Sequence, residues 1–448
     1  MKIERPVAAA TPTPPGPDSG RTSPAARPRE PAVEPTERTL QGLGDVARWA
    51  RHPSRAGPPP VHLVTRRLHI VMVGWEFPPR STGGLGVHCY ELVQELAAMG
   101  HRVTFLVPAA GPYTPVRGVR MKWPTRRSGT KWFPAYAPPV GEMPDPVATV
   151  DGYNQWISEL VLREEVDVVH VHDWFGTAGA ARLARRLRRP LVMTVHSTEY
   201  DRSLGHPWSE ILDREKIGLN AADRIIAVSR HTRDQLVERY DVPADRVRVV
   251  YNAVRPSERV AKLDPARPTV LYLGRLAAMK GVDTFLGAAA RVAEKIPNAV
   301  FVVAGEGPEY PRLLKLSATL GLGDRVLFLG RVTDEERTAL LARTSVFVLP
   351  SVIEPFGISA LEAMAAGIPT ILSKTSGVAE VIGNAFVVDF WDVDEIASRM
   401  TELLAYPALS RTMGAAGREE ATQVGWAERA LETVRIYAEL VAPRGPSR

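Results

Sequence analysis

The sequence predicts an α/β protein made of two doubly wound domains, and three observations carry this prediction. Short apolar runs alternate with helix-forming stretches from Leu68 to Leu440, which is the pattern of parallel strands joined by crossover helices. A polar stretch bounded by proline, residues 256–268, interrupts the alternation and indicates a linker. Residues 345–373 hold an apolar run, a helical block ended by glycine and proline, and a second apolar run. Together these predict one βαβ unit.

The composition is that of a globular protein in a reducing compartment. The 448 residues allow two or three domains, and 45% apolar with 24% charged residues is ordinary. The single cysteine, Cys89, excludes an intrachain disulfide and falls in a helical pattern, where we expect a small buried side chain. No apolar run reaches the roughly 18 residues that span a bilayer, and no signal-peptide core is present at the N-terminus. We therefore expect a cytoplasmic protein.

The net charge of +6 suits an anionic ligand but does not indicate a nucleic-acid partner. Arginine is spread along the chain, and no zinc or RNA-binding motif occurs in the sequence. One dense basic cluster comprises Arg182, Arg185, Arg186, Arg188 and Arg189. We expect this cluster to be a solvated helix face, and the alternative is weak peripheral contact with an anionic membrane.

The first domain is predicted to follow a long tail and to open on a phosphate cradle. Residues 1–65 are rich in proline and poor in large apolar residues, so they cannot offset their ordering entropy and are predicted to be disordered. A strand then begins at Leu68, a loop with Gly83 and Gly84 follows, and a helix ends at Gly100. This order predicts an anion site, because glycine lets the backbone approach a ligand closely.

An aromatic-rich stretch interrupts the first domain. Residues 108–150 combine proline, glycine and basic residues with Trp123, Trp132, Phe133 and Tyr136. We expect a surface excursion anchored by aromatic side chains, and the alternative is that these rings stack on an acceptor sugar. A helix at 151–164 is then predicted to restore the alternation.

Histidines follow the next two predicted strands. His170, His172 and Asp173 end one strand, and His196 lies just past the carboxyl end of the next. His170 and His172 share a face of their strand, but no further ligand cluster accompanies them, so we predict no metal site. His196 stands where a ligand of an open sheet is reached.

Two charged motifs mark the second domain. Arg275 and Lys280 flank a strand-to-helix loop closed by Gly281, where arginine can bind two phosphate oxygens and lysine supplies a point charge. The ordinary alternative is a solvated basic pair. Asp392 and Asp394 have the spacing of a metal motif, but they precede an apolar-periodic helix, so an N-cap is the better interpretation.

The loop inside the predicted βαβ unit carries two carboxylates around a helix start. Gly357 leaves backbone N–H groups free to face an anion, and Glu354 and Glu362 flank it. Carboxylates repel phosphate but accept hydrogen bonds from sugar hydroxyls. The alternative is that both side chains only complement the helix N-terminus.

The longer strings resemble the retaining glycosyltransferases of family 4, which have the GT-B fold. Glu354 and Glu362, followed by Ala-Met-Ala-Ala-Gly-Ile-Pro, match that family's Glu-x7-Glu signature. The string Gly-Arg-Leu…Lys-Gly-Val-Asp and the first glycine loop also resemble the family, in its glycogen/starch synthase-like branch. The resemblance covers about residues 68–440.

This resemblance implies two Rossmann-like domains that face each other across a cleft. It assigns residues 66–255 to an N-terminal acceptor domain, 256–425 to a C-terminal nucleotide-sugar domain, and 426–448 to a helix that crosses back to the first domain. The family usually has Asn-Gly-Val-Asp at the corner before the linker, where this chain has Ala253 and Arg255.

The resemblance also implies roles for individual residues. Glu354 holds sugar hydroxyls, His196 meets the phosphate or the C6 hydroxyl, and Arg275 and Lys280 stabilise the departing diphosphate. The implied donor-binding residues are Gly83, Gly84, Gly307, Val332, Phe356, Gly357, Ile358 and Glu362, the last on the ribose hydroxyls. No metal and no cofactor are expected beyond the nucleotide diphosphate sugar as co-substrate.

The implied activity is retaining transfer of a hexosyl group, glucose by preference, to an α-glucan or another carbohydrate. The strings Trp-Glu-Phe-Pro-Pro at 75–79 and Thr-Val-His-Ser-Thr-Glu-Tyr at 194–200 are similar to glycogen-synthase-type members. Members that use ADP-glucose usually carry lysine where this chain has Ser81, so UDP-glucose or another hexose donor is favoured. A lipid or sugar-phosphate acceptor, or a non-catalytic sugar-nucleotide binding protein, are the alternatives. Donor base, linkage and oligomeric state stay open at this stage.

Overall fold

A computed structural model describes the part of the chain in which the alternation was predicted. It covers residues 67–81, 83–124, 146–257, 260–261, 264 and 266–441. The predicted tail at 1–65 lies outside the described residues, as do Trp132, Phe133, Tyr136 and the end of the last segment beyond 441.

The first sheet belongs to the N-terminal domain and is parallel throughout. Its strands are β1 (His69–Val73), β2 (Arg102–Leu106), β3 (Val119–Lys122), β4 (Val168–His172), β5 (Leu191–Val195), β6 (Arg224–Ala227) and β7 (Val247–Val249). They lie in the order β3-β2-β1-β4-β5-β6-β7. The order reverses between β1 and β4, and a doubly wound sheet binds its ligand at such a reversal, beyond the carboxyl ends of the strands.

The second sheet repeats this arrangement in the C-terminal domain. Its strands are β8 (Thr269–Leu273), β9 (Val300–Ala304), β10 (Val326–Gly330), β11 (Val346–Leu349), β12 (Thr370–Ser373) and β13 (Phe386–Val388). They are parallel in the order β10-β9-β8-β11-β12-β13, so the reversal lies between β8 and β11. Strands β1, β4 and β11 are buried along their whole length, as expected of a parallel sheet with both faces covered.

Helices connect these strands. In chain order they are α1 (Gly84–Ala98), α2 (Pro146–Glu159), α3 (Thr177–Leu187), α4 (Glu199–Arg202), α5 (Ser209–Ala221), α6 (Arg230–Tyr240), α7 (Val282–Lys295), α8 (Tyr310–Thr319), α9 (Asp334–Leu341), α10 (Ile358–Ala365), α11 (Val393–Ala405), α12 (Pro407–Thr422) and α13 (Trp426–Leu440). The βαβ unit predicted at 345–373 is confirmed as β11, α10 and β12. None of the described helices combines the length and the apolar content that crossing a membrane requires.

One predicted helix was misplaced along the chain. Helix α2 covers 146–159 instead of 151–164. Its first turns lie in the stretch interpreted as a surface excursion, yet Thr149 and Val150 are buried. Beyond the helix, Glu164 accepts hydrogen bonds from Arg102 of β2 and Arg120 of β3. These contacts hold Glu164 beside the edge strands of the first sheet, beyond the end of the helix.

Two features of the second domain agree with the sequence analysis. Asp392 caps α11, because its Oδ1 accepts the Glu395 N–H at 2.9 Å, so the Asp-x-Asp string is an N-cap. Between β7 and β8 the described residues form no helix or strand, which agrees with a linker there.

Helix α13 returns to the first domain, as expected. The Tyr437 hydroxyl lies 2.6 Å from Nδ1 of His170 on β4, and both side chains are fully buried. At the start of the helix the Trp426 ring meets His88 of α1 edge-on, with ring centroids 5.4 Å apart. The final helix therefore contacts the first domain near its start, at Trp426, and near its end, at Tyr437.

This contact yields a stability prediction. Tyr437→Phe removes only a hydroxyl, but it leaves Nδ1 of the buried His170 without its partner. We expect the free energy of unfolding in urea to fall by about 1–3 kcal/mol. The control Tyr406→Phe, at a side chain 62% exposed, is expected to change it by less than about 0.5 kcal/mol. Equal losses in the two variants would contradict the role given to the buried hydrogen bond.

Candidate active site

Glu354 lies at the centre of the site, in the loop between β11 and α10. The residue is 8% exposed. Its Oε2 accepts hydrogen bonds from Lys280 Nζ at 2.7 Å and from Ser351 Oγ at 3.3 Å. The carboxylate is thus held by one cation and one hydroxyl, and the cation comes from a different loop.

The loop that carries Lys280 follows β8 and is pressed against the Glu354 loop. A short 3-10 helix, Ala278–Lys280, ends at Gly281 with φ of 61°. A Cβ atom on Gly281 would lie 2.1 Å from the carbonyl oxygen of Pro350, so only glycine allows the two backbones to approach this closely. This contact brings together Lys280 and Glu354, which are 74 residues apart in the chain.

Arg275 and Gly307 lie beside this loop. The half-buried Arg275 directs its Nη2 to Met279 Sδ at 3.8 Å, and its carbonyl accepts the hydroxyl of Tyr272. Gly307, after β9, packs on the backbone of Leu276. Arg275 and Lys280, predicted to bind phosphate, and Gly307, predicted to bind the nucleoside, therefore occupy neighbouring loops at the carboxyl ends of the strands.

Two helix N-termini face each other across the cleft between the domains. Gly83 precedes α1 and Gly357 precedes α10, and no described side chain caps either helix. A Cβ on Gly84 would lie 3.4 Å from Ile358 Cδ1, so these two helix starts are in near contact. Uncapped N–H groups and helix dipoles favour an anion. Gly83 itself has open space around it, which leaves room for a ligand.

Three histidines form the wall of the first domain at this cleft. Nδ1 of His172 lies 3.1 Å from Nε2 of His196, and the His88 ring meets the His196 ring edge-on. Nδ1 of His88 shares a 2.6 Å hydrogen bond with Asn252 Oδ1. Burial, together with repulsion between the rings, lowers the pKa of His88 and His172 well below the ordinary value. Burial lowers the pKa of His196 to about 3, so all three rings are neutral.

The same three rings are the described residues that come nearest to a metal site. One nitrogen of each lies within 4.8 Å of the others, and Nε2 of His88 and of His172 is buried with no partner among the described residues. Tetrahedral zinc with Zn–N distances of about 2.0–2.1 Å needs nitrogens about 3.4 Å apart. The rings would have to close inward around an ion, and the expectation of a metal-free site stays a prediction.

Glu362 lies one turn into α10, at the edge of a cavity between the domains. Arg337 of α9 places Nη1 3.3 Å from its Oε1. Burial raises the pKa of Glu362, and the Arg337 charge opposes that shift. The cavity has a volume of about 510 Å³ and is also lined by Glu91 and Arg255. Across the cleft mouth, Arg331, which precedes Val332, donates to the Ser81 carbonyl at 2.7 Å.

Known proteins resemble this chain over most of its length. Residues 82–258 match the family described as Glycosyltransferase Family 4, and residues 255–420 match Glycosyl transferases group 1. An uncharacterized glycosyltransferase of Methanocaldococcus jannaschii is 30% identical, over 83% of this chain and 98% of its own length. The chain belongs to glycosyltransferase family 4. Its glycogen synthase-like branch is indicated by the glycogen synthase of Mycobacterium tuberculosis, 30% identical over 84% of this chain and 96% of that protein.

Further relatives of this glycosyltransferase confirm the fold. The α-maltose-1-phosphate synthase of Mycolicibacterium smegmatis is 30% identical over 84% of this chain and all of that one. Sucrose-phosphate synthase from Thermosynechococcus elongatus superposes with a TM-score of 0.67 at 24% identity, over 84% of this chain and 99% of that chain. The catalytic domain of starch synthase IV from Arabidopsis thaliana, bound to ADP and acarbose, gives a TM-score of 0.68 at 16% identity, over 84% and 100%. The GT-B fold is therefore confirmed.

Several residues of the transferase site gave no signal in the sequence analysis. His88 is buried on α1 among Leu85, Cys89 and Leu92, and a polar residue on an apolar helix face could have marked it. Arg337 is one of many arginines, and its pairing with Glu362 depends on how α9 and α10 are placed in the folded domain. Of the four aromatic residues named in the predicted surface excursion, Trp123 lies among the described residues, and it is 37% exposed.

Other expectations for the transferase were met or stay predictions. Cys89 is fully buried, and burial raises the pKa of its thiol well above the ordinary value, as expected of an inert side chain. In the basic cluster, Arg186 donates to the Leu160 carbonyl and Arg189 pairs with Glu165. The assigned roles of the catalytic and donor-binding residues stay predictions.

The first domain contains a pH-dependent contact beside the site. His231 Nε2 lies 3.4 Å from Asp201 Oδ1, and this hydrogen bond raises the pKa of His231 against the effect of burial. Because the folded pKa is raised, its stabilising contribution is fully present below the unfolded pKa of about 6.5 and is lost as the pH rises through the folded value. We expect the loss of unfolding free energy in His231→Gln to be largest near about pH 6 and to shrink toward about pH 8.5. A loss that is independent of pH would contradict this assignment.

Proposed function

We propose that the protein is a retaining, metal-independent hexosyltransferase. It moves glucose, or a closely related hexose, from a nucleotide diphosphate sugar to an α-glucan or another carbohydrate acceptor. The observation that carries the proposal is the meeting of the Lys280–Glu354 pair, two uncapped helix N-termini and a neutral His196 in one cleft.

The diphosphate of the donor lies beside the two helix starts, at the open space around Gly83. Arg275, Lys280 and the first N–H groups of α10 receive the charge that develops on the leaving phosphate, and donors fixed before the reaction lower the barrier most. Neutral His196 hydrogen-bonds to a phosphate oxygen or to the C6 hydroxyl and adds no charge. Glu354 accepts hydrogen bonds from sugar hydroxyls on the opposite side.

The transfer takes place on one face of the sugar. The bond from C1 to the phosphate oxygen breaks, and a bond from C1 to the acceptor oxygen forms on the same face, so the configuration is retained. The leaving phosphate oxygen takes the proton of the acceptor hydroxyl. Closure of the two domains excludes water, which would otherwise compete as the acceptor.

The ribose of the donor lies at Glu362. This carboxylate stands at the edge of the cavity of about 510 Å³. The Glu362 carboxylate accepts hydrogen bonds from both ribose hydroxyls, and Arg337 is its partner in the absence of the donor. Backbone groups near Gly307 and Val332 meet ribose and base.

Donor and acceptor are proposed from sequence detail and from the relatives. Ser81 replaces the lysine usual in users of ADP-glucose, which favours UDP-glucose. A glycogen synthase relative supports an α-glucan acceptor. The α-maltose-1-phosphate synthase relative, at the same identity, supports a sugar phosphate as the second candidate acceptor.

Nucleotide release from purified protein tests this activity. UDP-, ADP- and GDP-sugars are offered in EDTA, with glycogen, with a hexose phosphate or with neither. We expect release from one donor that rises with one acceptor and survives EDTA. Glu354→Ala and Lys280→Ala are each expected to lower kcat by about 100-fold or more, because each leaves a charge at the reacting phosphate and sugar unmatched.

A surface ion pair provides the matched control for Lys280. Lys374 lies 2.8 Å from Asp389, and its side chain is 58% exposed, so Lys374→Ala is expected to keep kcat within about twofold. Calorimetry with UDP, ADP and GDP distinguishes a binding protein from an enzyme. Nucleotide binding without release from any donor would contradict catalysis with the acceptors offered.

The raised pKa of Glu362 predicts how donor binding depends on pH. A protonated carboxyl loses acceptor capacity toward the ribose, so the donor KM is expected to rise as the pH falls from about 7.5 to about 5.5. In Glu362→Gln the KM is expected to be high at both pH values. A Glu362→Gln KM equal to that of the wild type at both pH values would exclude the ribose role of the Glu362 carboxylate.

A further inference from the structure

Glu380 of the second domain is bound by three groups of the first domain. It ends the 3-10 helix Gly377–Glu380, which follows β12. Its Oε2 accepts the backbone N–H of Arg230 at 2.8 Å, and its Oε1 accepts that of His231 at 3.0 Å. The Tyr251 hydroxyl also donates to Oε2 at 3.0 Å.

These bonds complete the N-terminus of a helix in the other domain. Arg230 and His231 open α6, whose N-cap residue, Ser229, accepts the N–H of Thr232 with its side-chain oxygen. The two N–H groups before Thr232 are left for Glu380. A carboxylate at this position also complements the positive end of the helix dipole. Burial, followed by the Glu380 charge, raises the pKa of Tyr251 to about 12, so its hydroxyl stays protonated and donates.

The segment that carries Glu380 also supports the Glu354 loop. The N–H of Gly377 donates to the Glu354 carbonyl at 2.9 Å, and that of Val378 donates to the Phe356 carbonyl at 2.7 Å. A Cβ on Gly377 would lie 2.2 Å from the Pro355 carbonyl oxygen and 2.8 Å from Ser229 Cβ. The Glu354 loop, the Gly377–Glu380 helix and the start of α6 therefore meet without space between them.

We propose that Glu380 is a positioning residue for glycosyl transfer, a latch that holds the two domains together at the Glu354 loop. This inference rests on the proposed function. Glu380 touches none of the groups assigned to the donor. It acts by keeping Glu354, on the second domain, in register with His196 and the acceptor, on the first. Its loss misplaces the reacting groups but leaves the donor contacts of the second domain intact.

The activity test compares two carboxylates that make the same kind of contact. Glu380→Gln retains the shape of the side chain but replaces one of the two accepting oxygens by an NH2 group. That NH2 group then faces a backbone N–H, and neither can accept a hydrogen bond from the other. In Glu420→Gln, the control, the carboxylate binds the N–H groups of Gly383 and Asn384 at 2.6 and 2.9 Å within the second domain. We expect Glu380→Gln to lower kcat by about tenfold or more with donor KM changed by less than about threefold. Glu420→Gln is expected to keep kcat within about twofold.

The outcomes that overturn the positioning role are clear. Unchanged kcat in Glu380→Gln would do so, and so would an equal loss in Glu420→Gln, since a general effect on the second domain would then be responsible. Tyr251→Phe, which removes one of the three hydrogen bonds, is expected to give a smaller loss in kcat than Glu380→Gln. A loss as large as that of Glu380→Gln would point to a separate role of the tyrosine and contradict a shared latch.

A second readout does not depend on activity. Hydrogen exchange measures the protection of the Arg230 and His231 amides, which donate to Glu380. Small-angle scattering measures the separation of the domains through the radius of gyration. We expect faster exchange at these amides and a larger radius of gyration in Glu380→Gln, and neither change in Glu420→Gln. Unchanged exchange and radius would overturn the latch. If the wild type releases nucleotide from no donor, the proposed function and the positioning role of Glu380 fail together, while this readout still decides whether the latch exists.

Discussion

The Lys280 ammonium and the Glu354 carboxylate lie 2.7 Å apart, and their side chains are only 14% and 10% exposed. Removing one partner of a buried pair leaves an unmatched charge, which typically costs about 3–5 kcal/mol. The pair therefore constrains the two loops that carry it, those after β8 and β11. These loops flank the reversal of strand order in the second sheet, and the other residues proposed to bind the donor are arranged around them.

Glu354 and Glu362 each have a cationic partner in the cleft, Lys280 and Arg337 respectively. In the proposed mode of binding, the cationic groups and the two helix N-termini meet the diphosphate, whereas the carboxylates meet the sugar and the ribose. Burial keeps His88, His172 and His196 neutral, so the wall of the first domain presents ring nitrogens without repelling either part of the donor. Such an arrangement can stabilise charge on a leaving phosphate without a resident cation, since the compensating groups are already in place.

The contacts between the domains differ in what they join. Tyr437 of the last helix forms a hydrogen bond with His170 on β4 of the first sheet, and Arg331 donates to the Ser81 carbonyl at the mouth of the cleft. Glu380 binds directly beside the Glu354 loop. A cleft enzyme has to open for its substrates and close for the reaction. Of these three contacts, the one made by Glu380 belongs to the segment that is hydrogen-bonded to the Glu354 loop.

The sequence by itself determined the two α/β domains, the βαβ unit with Glu354 and Gly357, the strand-end position of His196 and the N-cap at Asp392. Each of these follows from local patterns, namely apolar periodicity, glycine at helix starts and polar residues at strand ends. Only the tertiary structure decided that Lys280 meets Glu354, that Arg337 covers Glu362, that His88 joins His196, and that Glu380 binds the start of α6. These pairs are formed by packing between segments far apart in the chain, and a charged residue in a sequence carries no mark of the distant partner it will meet.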